Sequence, residues 1–213
     1  MAITNGYTTL AIFKTRFLPS ATANSADDTE IENIITATSR YIDQECYPRT
    51  FYARTGETHY FDLPINSNMR MLYFNDYLIT ATTLTNGDAT VISATSYWLY
   101  PISERATTAV EVPSYKLELK PSASITFVSD TNGDTKRVVS LLGTWGYCTT
   151  YPADIEQACL EIARNIYNRR TGQGETAATI TPGGVMVTPI DVSAIARRIL
   201  DAYPKHLGIT DNG

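Results

Sequence analysis

Histidines, cysteines and acidic clusters are the residues of this chain whose types could support catalysis or metal binding. His59 and His206 are the only two histidines among 213 residues, so a Ser-His-Asp or Cys-His site has few possible members. The three cysteines, Cys46, Cys148 and Cys159, are widely spaced and form no CxxC pair, which argues against a disulfide framework and a zinc site. The sequence therefore predicts buried, reduced thiols, no catalytic residue and no metal ligand.

Two acidic stretches resemble sites but have simpler explanations. The run from Asp130 to Asp134 resembles a calcium loop, yet the positions that an EF-hand fills with glycine and a bidentate glutamate hold Thr135 and Leu141. A hairpin turn is the better interpretation. The second cluster opens a predicted helix, where the helix dipole favours acidic side chains. Its members are Asp27, Asp28, Glu30 and Glu32. Neither stretch predicts a cofactor, and no nucleotide-binding or hydrolase motif occurs.

The composition indicates a protein with permanent protein neighbours. Charged residues make up 18% of the chain, below the roughly 25% of an average soluble domain. Tyrosine, which is enriched at interfaces, occurs fourteen times. The formal net charge of −5 leaves no basic footprint of the kind that holds nucleic acid tightly. No apolar run is long enough to span a membrane and no signal-like N-terminus occurs, which favours a reducing cytoplasm and no membrane partner.

The spacing of apolar residues divides the chain into helical ends and a β-rich middle. Helices are predicted at about 9–17, 27–45 and 153–170, where apolar residues recur at helical spacing between capping residues and prolines. Tyr115, Leu117 and Leu119 alternate with polar neighbours, the signature of a strand with one wet face. Other strands are predicted at 57–63, 70–74, 77–84, 89–95, 97–100, 123–128 and 136–143. The Asn86-Gly87 and Asn132-Gly133 pairs predict type I′ turns.

The C-terminal part of the chain is predicted to be a docking arm. Residues from about 171 to 189 are rich in Gly, Thr and Ala and are typical of a flexible segment. Asp191 can then cap a last short helix, whose apolar stripe comprises Val192, Ile195, Ile199 and Tyr203. We expect this helix to become ordered only against a partner. Its amphipathic stripe allows permanent packing on its own bundle equally well.

The order of helices, strands and helices predicts an α+β fold, with a small helical bundle from the N- and C-terminal segments and an inserted antiparallel β-barrel or sandwich domain. The predicted boundaries are 1–49 for the N-terminal helices of the bundle, 50–149 for the inserted β domain, 150–171 for a further bundle helix and 172–213 for the flexible arm with its short docking helix.

Two groups of residues are predicted to make contacts rather than to do chemistry. Arginines near helix ends, joined by the stripe of the last helix, could contact DNA phosphates or an acidic protein surface. Solvated faces, or ion pairs with a neighbouring subunit, are the default interpretation of the arginines. This partner-binding group comprises Arg169, Arg170, Val192, Ile195, Arg197, Arg198, Ile199 and Tyr203. The second group forms a strand-to-helix corner, where glycines let backbone and indole pack closely. Its members are Gly143, Trp145, Gly146 and Tyr147.

Three motifs carry a resemblance to a known family. The first is a Thr-led N-terminal helix around Lys14. The second is Asp27-Asp28-x-Glu30-Ile31-x-x-Ile34-Ile35, which continues to Ile42-Asp43, Cys46, Arg49 and Phe51. The third is Gly143-Thr144-Trp145-Gly146-Tyr147, followed by a proline and a helix that ends Ile166-Tyr167-x-Arg169. In order and spacing the chain resembles the gp6-like head-tail connector (adaptor) family of tailed bacteriophages.

The resemblance implies a structural protein and not an enzyme. Such a subunit sits in the virion neck after assembly in the host cytoplasm, and forms a homo-oligomeric ring, usually a dodecamer. The helical bundle would bind the portal protein, and a tail, stopper or nozzle protein would bind the other side. Packaged double-stranded DNA would pass through the lumen without specific binding, and acidic walls suit such sliding. The alternative is a carbohydrate- or protein-binding β-module of a phage tail, favoured by Tyr97, Trp98 and Tyr100.

Overall fold

The computed structural model describes residues 3–18, 25–64, 69–101, 113–170 and 192–203. They form two compact units, of which unit 1 contains Met1–Tyr47 and Tyr151–Lys205 and unit 2 contains Pro48–Thr150. Unit 1 holds the helices and unit 2 holds the strands, so the predicted α+β class is confirmed. Because unit 1 is built from both sides of unit 2 in sequence, unit 2 is an insertion.

In its described residues, unit 1 has four helices: α1 (Leu10–Phe17), α2 (Asp28–Glu45), α3 (Ala153–Arg170) and α4 (Ala194–Asp201). The hydroxyl of Thr9 caps α1 by accepting a hydrogen bond from the backbone N–H of Ile12 at 3.2 Å. The cap of α4 is Ser193, whose hydroxyl accepts from the N–H of Ala196 at 3.1 Å, and not the predicted Asp191. The first three helices confirm the prediction within one or two residues.

A continuous apolar core joins α1, α2 and α3. Its buried members are Phe13, Ile31, Ile34, Ile35, Leu160, Ala163 and Tyr167. Those of α2 and α3 recur at three- and four-residue intervals, so each of these two helices turns one face inward, and α1 contributes Phe13. The ring of Phe13 meets the rings of Phe17 and Tyr167 edge to face, with centroids 5.2 and 5.8 Å apart. Helix α4 packs on α3.

Hydrogen bonds hold the segment before α1 against α2. The buried hydroxyl of Ser39 donates to the carbonyl of Ile35 at 2.8 Å and accepts from the backbone N–H of Tyr7 at 3.1 Å. The hydroxyl of Tyr7 also donates to the carboxylate of Asp43. A buried polar group with a partner avoids the desolvation penalty of an unmade bond, so these contacts fix one position for the segment.

The cysteines differ in burial, and we expect their reactivity to follow it. Cys46 and Cys159 are buried, whereas Cys148 is half-buried, and none forms a disulfide. Burial raises the pKa of the Cys159 thiol to about 11, so only about one thousandth of it is the reactive thiolate at pH 8. An aromatic disulfide reagent should therefore modify Cys148 first, and peptide mapping would identify the modified site. Equally fast modification of all three thiols in the folded protein would contradict the buried core.

Unit 2 is built on one antiparallel sheet of six strands in its described residues. The strands are β1 (Arg54–Phe61), β2 (Met71–Thr85), β3 (Val91–Ile92), β4 (Tyr97–Pro101), β5 (Ser114–Leu119) and β6 (Val139–Trp145). Their order is β1-β6-β2-β5-β4, and β3 pairs with the end of β2. The sheet does not close, so of the two predicted alternatives, a barrel or a sandwich, the barrel is wrong. Strands β1 and β4 remain its two edges, since neither pairs with the other.

Strand β2 is longer than the sequence predicted. It runs without a break through the predicted strands 70–74 and 77–84, and pairs first with β5 and then with β6. Register shifts between Tyr73 and Leu78, between Leu78 and Thr80 and between Ala81 and Thr83 interrupt both ladders. Such irregularities bend a strand and increase its twist. Strand β2 can therefore pair with β5 along its first half and with β6 along its second half.

The predicted strand 123–128 is absent from the sheet, because side chains and isolated hydrogen bonds replace the ladder there. Phe127 is fully buried, and its N–H donates to the carbonyl of Met69 at 2.9 Å. The buried amide of Asn86 donates to the carbonyl of Thr126 at 3.0 Å and accepts from the N–H of Val128 at 3.1 Å. The segment thus connects Met69, two residues before β2, with Asn86, the first residue after it.

Neither Asn-Gly pair forms the predicted type I′ turn, which needs a positive φ at both residues. At the first pair, φ is positive only beyond it, at Ala89. Position 87 requires glycine for a steric reason and not for a positive φ, because a Cβ there would lie 2.1 Å from the carbonyl oxygen of Val128. At the second pair, only Gly133 has a positive φ, of 85°.

Candidate interaction surfaces

The predicted corner residues lie at the end of β6, and they are packed within unit 2. Trp145 is fully buried, its indole N–H donates to the carbonyl of Glu57 at 3.0 Å, and its ring stacks on His59 at 3.8 Å. Gly146 has a φ of 137°, and a Cβ there would lie 2.2 Å from the carbonyl oxygen of Tyr52. At Gly143 a Cβ would lie 2.4 Å from a backbone oxygen of β2. The sequence prediction of close packing around the indole agrees with this geometry.

Tyr147 joins the two points at which the chain enters and leaves unit 2. Its N–H donates to the carbonyl of Thr50 at 2.8 Å, and its ring meets that of Phe51 edge to face. The guanidinium of the buried Arg49 lies 5.4 Å from the centroid of Tyr147 and 5.9 Å from that of Tyr77. Residues near the start and the end of the segment Pro48–Thr150 are therefore held side by side.

The structure does not bring the predicted arginines together. Arg169 and Arg170 are exposed in the last turn of α3, where Arg170 forms an ion pair with Glu30 at the start of α2. Arg197 instead acts on Tyr41, near the end of α2, where it opposes the rise in the pKa of Tyr41 that burial and Glu45 cause. Eleven residues of helix separate Glu30 from Tyr41, or about 16 Å at 1.5 Å per residue. The arginine pairs therefore belong to two separate surfaces.

Helix α4 faces α3 with a different stripe from the one predicted. Val192, Ala196 and Leu200 are buried, whereas Ile195 is 62% exposed. The predicted stripe contained only large side chains and did not include Ala196, although a small side chain lets two helices approach closely. The packing corresponds to the second alternative, a helix seated on its own bundle. Residues 171–191, predicted as the flexible arm, lie outside the described residues.

The outward side of α4 combines apolar and cationic groups. Ile195, Arg197 and Arg198 are exposed, and Ile199 is half-buried beside them. Tyr203, just beyond the helix, is directed to unit 1 itself, because its hydroxyl donates to the carboxylate of Asp154 in the first turn of α3 at 2.9 Å. Tyr203 was predicted to bind a partner, but its hydroxyl is already bonded within unit 1. The exposed surface of α4 is therefore smaller than the predicted partner-binding group.

A second surface covers the outer side of β2, β5 and β4. Of its residues, the sequence predicted only Trp98 and Tyr100 as exposed aromatic side chains. The register places Met71 beside Glu118 and Trp98, and Tyr73 beside Lys116 and Tyr100. We call this set, with Lys120, the aromatic-lysine face. Tyr97, predicted to be exposed, is turned inward and only 8% exposed. The alternation of residues 115–120 indicates part of this face from sequence, because it predicts that Lys116, Glu118 and Lys120 share the solvent-exposed side of β5.

Lysines cover the rings of the aromatic-lysine face. The ammonium of Lys116 lies 4.0 Å from the ring centroid of Tyr100 and 5.9 Å from that of Tyr73. Lys120 lies 5.6 Å from the centroid of Trp98. The hydroxyl of Tyr100 donates to Glu118 at 2.7 Å, which raises the pKa of Tyr100. The face is thus aromatic and cationic at once.

The sequence predictions also concern the histidines and possible metal ligands. Across the described ranges, no three side chains of His, Cys, Asp or Glu come together as metal ligands would. His59 is stacked on Trp145, and His206 lies outside the described residues. The helices that the structure describes include none long and apolar enough to cross a membrane.

The fold has relatives among solved structures. No protein-family model and no curated protein sequence matches the chain. A chain from the structure "Neck of empty GTA particle computed with C6 symmetry" is 14% identical with a TM-score of 0.55, and the match covers 96% of this chain and 93% of that one. A chain from "Virion of native gene transfer agent (GTA) particle" is 15% identical with a TM-score of 0.50 and the same coverage. At these identities the likeness shows a shared fold, and the resemblance to gp6-like connectors stays a prediction.

Proposed function

We propose that the chain is a structural subunit of a phage-like virion neck, a head-to-tail adaptor that forms a ring under the portal, extends the DNA channel and offers the tail its attachment surface. The observation that carries the proposal is the shared fold, because 96% of this chain aligns with a chain from the neck of a gene transfer agent particle. The three connector-like motifs support it independently. In this proposal the chain has a structural role and no enzymatic one.

A ring is supported by the symmetry of that neck, which was computed with C6 symmetry. Six-fold symmetry is compatible with six or with twelve copies, and the connector resemblance favours twelve. The net charge of −5 suits a channel wall past which DNA must slide without being held. A tail, stopper or nozzle protein would bind the distal side of the ring.

The portal contact is assigned to the outward side of α4. An exposed Ile195 has Arg198 three residues along on the same side of α4, and Arg197 is exposed on the opposite flank towards Tyr41. An apolar anchor with flanking cations fits an acidic, partly apolar surface. The inward stripe holds α4 on α3, so the portal would meet a preformed helix. Preformed surfaces avoid the ordering cost of a flexible partner.

Reversing the charge of this surface should uncouple the adaptor from the portal. In the variant Ile195→Asp/Arg197→Glu/Arg198→Glu, the affinity for purified portal rings of the same virus is expected to fall by about 100-fold, or about 2.7 kcal/mol. Surface plasmon resonance would measure it. In particles, the variant should accumulate filled heads without tails.

Arg16→Glu is the matched control, because Arg16 is an exposed arginine on α1 of the same unit. It should bind the portal as the parent protein does. Unchanged portal binding by the α4 variant would remove α4 from the interface, whereas no portal binding by the parent chain would contradict the adaptor function.

The second candidate, a carbohydrate- or protein-binding module, rests on the exposed Trp98 and the half-buried Tyr100. Sugar rings stack on open aromatic faces, but here Lys120 and Lys116 already lie over those two rings. The geometry therefore favours a protein contact over a carbohydrate contact at this surface.

A further inference from the structure

The aromatic-lysine face lacks a partner for its charge within the described part of the chain. Lys116 and Lys120 lie over aromatic rings, and Lys120 also donates to the carbonyl of Thr95 at 2.7 Å. No described carboxylate forms an ion pair with either ammonium. Tyr73 and Trp98 are 43% and 46% exposed, so large rings and cations share one open surface. Aromatic residues of this kind are enriched at protein interfaces.

Unit 2 also carries a set of carboxylates on two adjacent loops, which we call the acidic loops. They are Asp88, Asp130 and Asp134. The loops touch, because the buried Asn86 binds Val128, and a Cβ on Gly87 would lie 2.8 Å from Ser129. Within each loop the carboxylates of Asp88 and Asp130 accept only backbone and amide N–H groups, and in the described residues no lysine or arginine pairs with any of the three.

We propose that the aromatic-lysine face of one copy binds the acidic loops of the next copy in the ring, an inference that rests on the proposed ring assembly. A closed ring of identical subunits needs two different surfaces that fit each other. Unit 2 presents both, an aromatic surface with two lysines and an anionic pair of loops, and in the described residues neither the lysines nor the three aspartates form an ion pair within the chain. Complementary charge sets partner choice and orientation at such contacts.

A second copy fits this face better than nucleic acid does. Glu118 lies in the middle of the face, where it accepts a hydrogen bond from the hydroxyl of Tyr100 at 2.7 Å, so an anionic partner must meet the two lysines on either side of it. The rings that would have to stack on bases are covered by lysines. A rigid pair of carboxylate-bearing loops can meet Lys116 and Lys120 from outside without displacing them from the rings.

Two charge-reversal variants test the contact. The face variant Lys116→Glu/Lys120→Glu and the loop variant Asp88→Lys/Asp134→Lys should each lose self-association of the full chain by about tenfold or more, because like charges then meet at the interface. Sedimentation velocity and mass photometry would measure assembly, and circular dichroism would verify the fold. Lys136→Gln, which removes an exposed lysine of the same unit together with its surface ion pair to Asp62, is the control and should assemble normally.

Mixing the two variants gives the decisive result. In an equal mixture, the anionic face of one variant meets the cationic loops of the other, and the cationic face meets the anionic loops, so alternating rings should form. Recovery to near the parental level supports the contact. Failure of two folded variants to rescue each other, or normal assembly of either alone, overturns it.

The outcomes also separate this contact from the adaptor function and from nucleic-acid binding. If the parent chain assembles and binds the portal but the mixture does not recover, the contact is wrong and the adaptor function stands. If the parent chain neither self-associates nor binds the portal, both are overturned. A fluorescent oligothymidylate that binds the parent chain but not the face variant would assign the face to nucleic acid instead.

Discussion

Trp145→Ala is expected to lower the free energy of unfolding of unit 2 by about 3–5 kcal/mol, the usual cost of removing a large buried aromatic side chain. The loss has three sources: the cavity left at a fully buried position, the hydrogen bond from the indole to Glu57, and the contacts with His59 and Phe74. A small domain is stable by only about 5–15 kcal/mol, so partial unfolding at moderate temperature should follow. Urea denaturation followed by near-ultraviolet circular dichroism would measure it.

Trp98→Ala is the matched control for that result. Trp98 is 46% exposed and lies on the outer side of the sheet, so its removal should cost about 1 kcal/mol or less. Equal destabilisation by the two variants would mean that Trp145 is not at the centre of the core of unit 2.

Gly146→Ala is expected to be nearly as damaging, although it adds only one methyl group. A backbone with φ near 137° is strained for any residue with a side chain, which costs about 1–3 kcal/mol alone. The new methyl would also lie 2.2 Å from the carbonyl oxygen of Tyr52, so the chain would have to move where it leaves unit 2. Thermal unfolding of the purified variant would show the effect.

Gly133→Ala separates the two causes. Gly133 also has a positive φ, of 85°, but a Cβ there meets no atom within 4 Å. Its replacement should cost only the conformational term, about 1–2 kcal/mol. If Gly133→Ala and Gly146→Ala lower the free energy of unfolding equally, the close approach to Tyr52 does not contribute to the loss of stability at Gly146.

Elements with a strong local period were predictable from the sequence. Helix α2 follows from the spacing of Ile31, Ile34 and Ile35, and β5 from the alternation around Leu117, because each element buries one face along its whole length. Strand β2 and segment 123–128 were not predictable, because long-range contacts determine both. Strand β2 changes partner along its length, and the segment is held by the side chain of Asn86, some forty residues away in sequence.

The candidate surfaces were predictable from the sequence only where neighbouring residues in one stretch of chain form them. The glycines around Trp145 predicted close packing, which the structure has. The face of α4 was misjudged, because Ala196 contributes by being small and not by being apolar. The aromatic-lysine face needs the register of three strands, which brings Tyr73, Lys116 and Tyr100 into one row. No spacing within one stretch of sequence reveals such a row.

The tie between Thr50 and Tyr147 has a consequence for how the chain folds. The two halves of unit 1 are separated by about a hundred residues, and closing so long a loop costs about 4 kcal/mol of chain entropy. Once unit 2 has folded, the 2.8 Å bond between these residues has already brought the ends of that loop together. Unit 2 then acts on unit 1 as a cross-link does, by restricting its unfolded chain. Damage to the β unit therefore also weakens the helices that it interrupts.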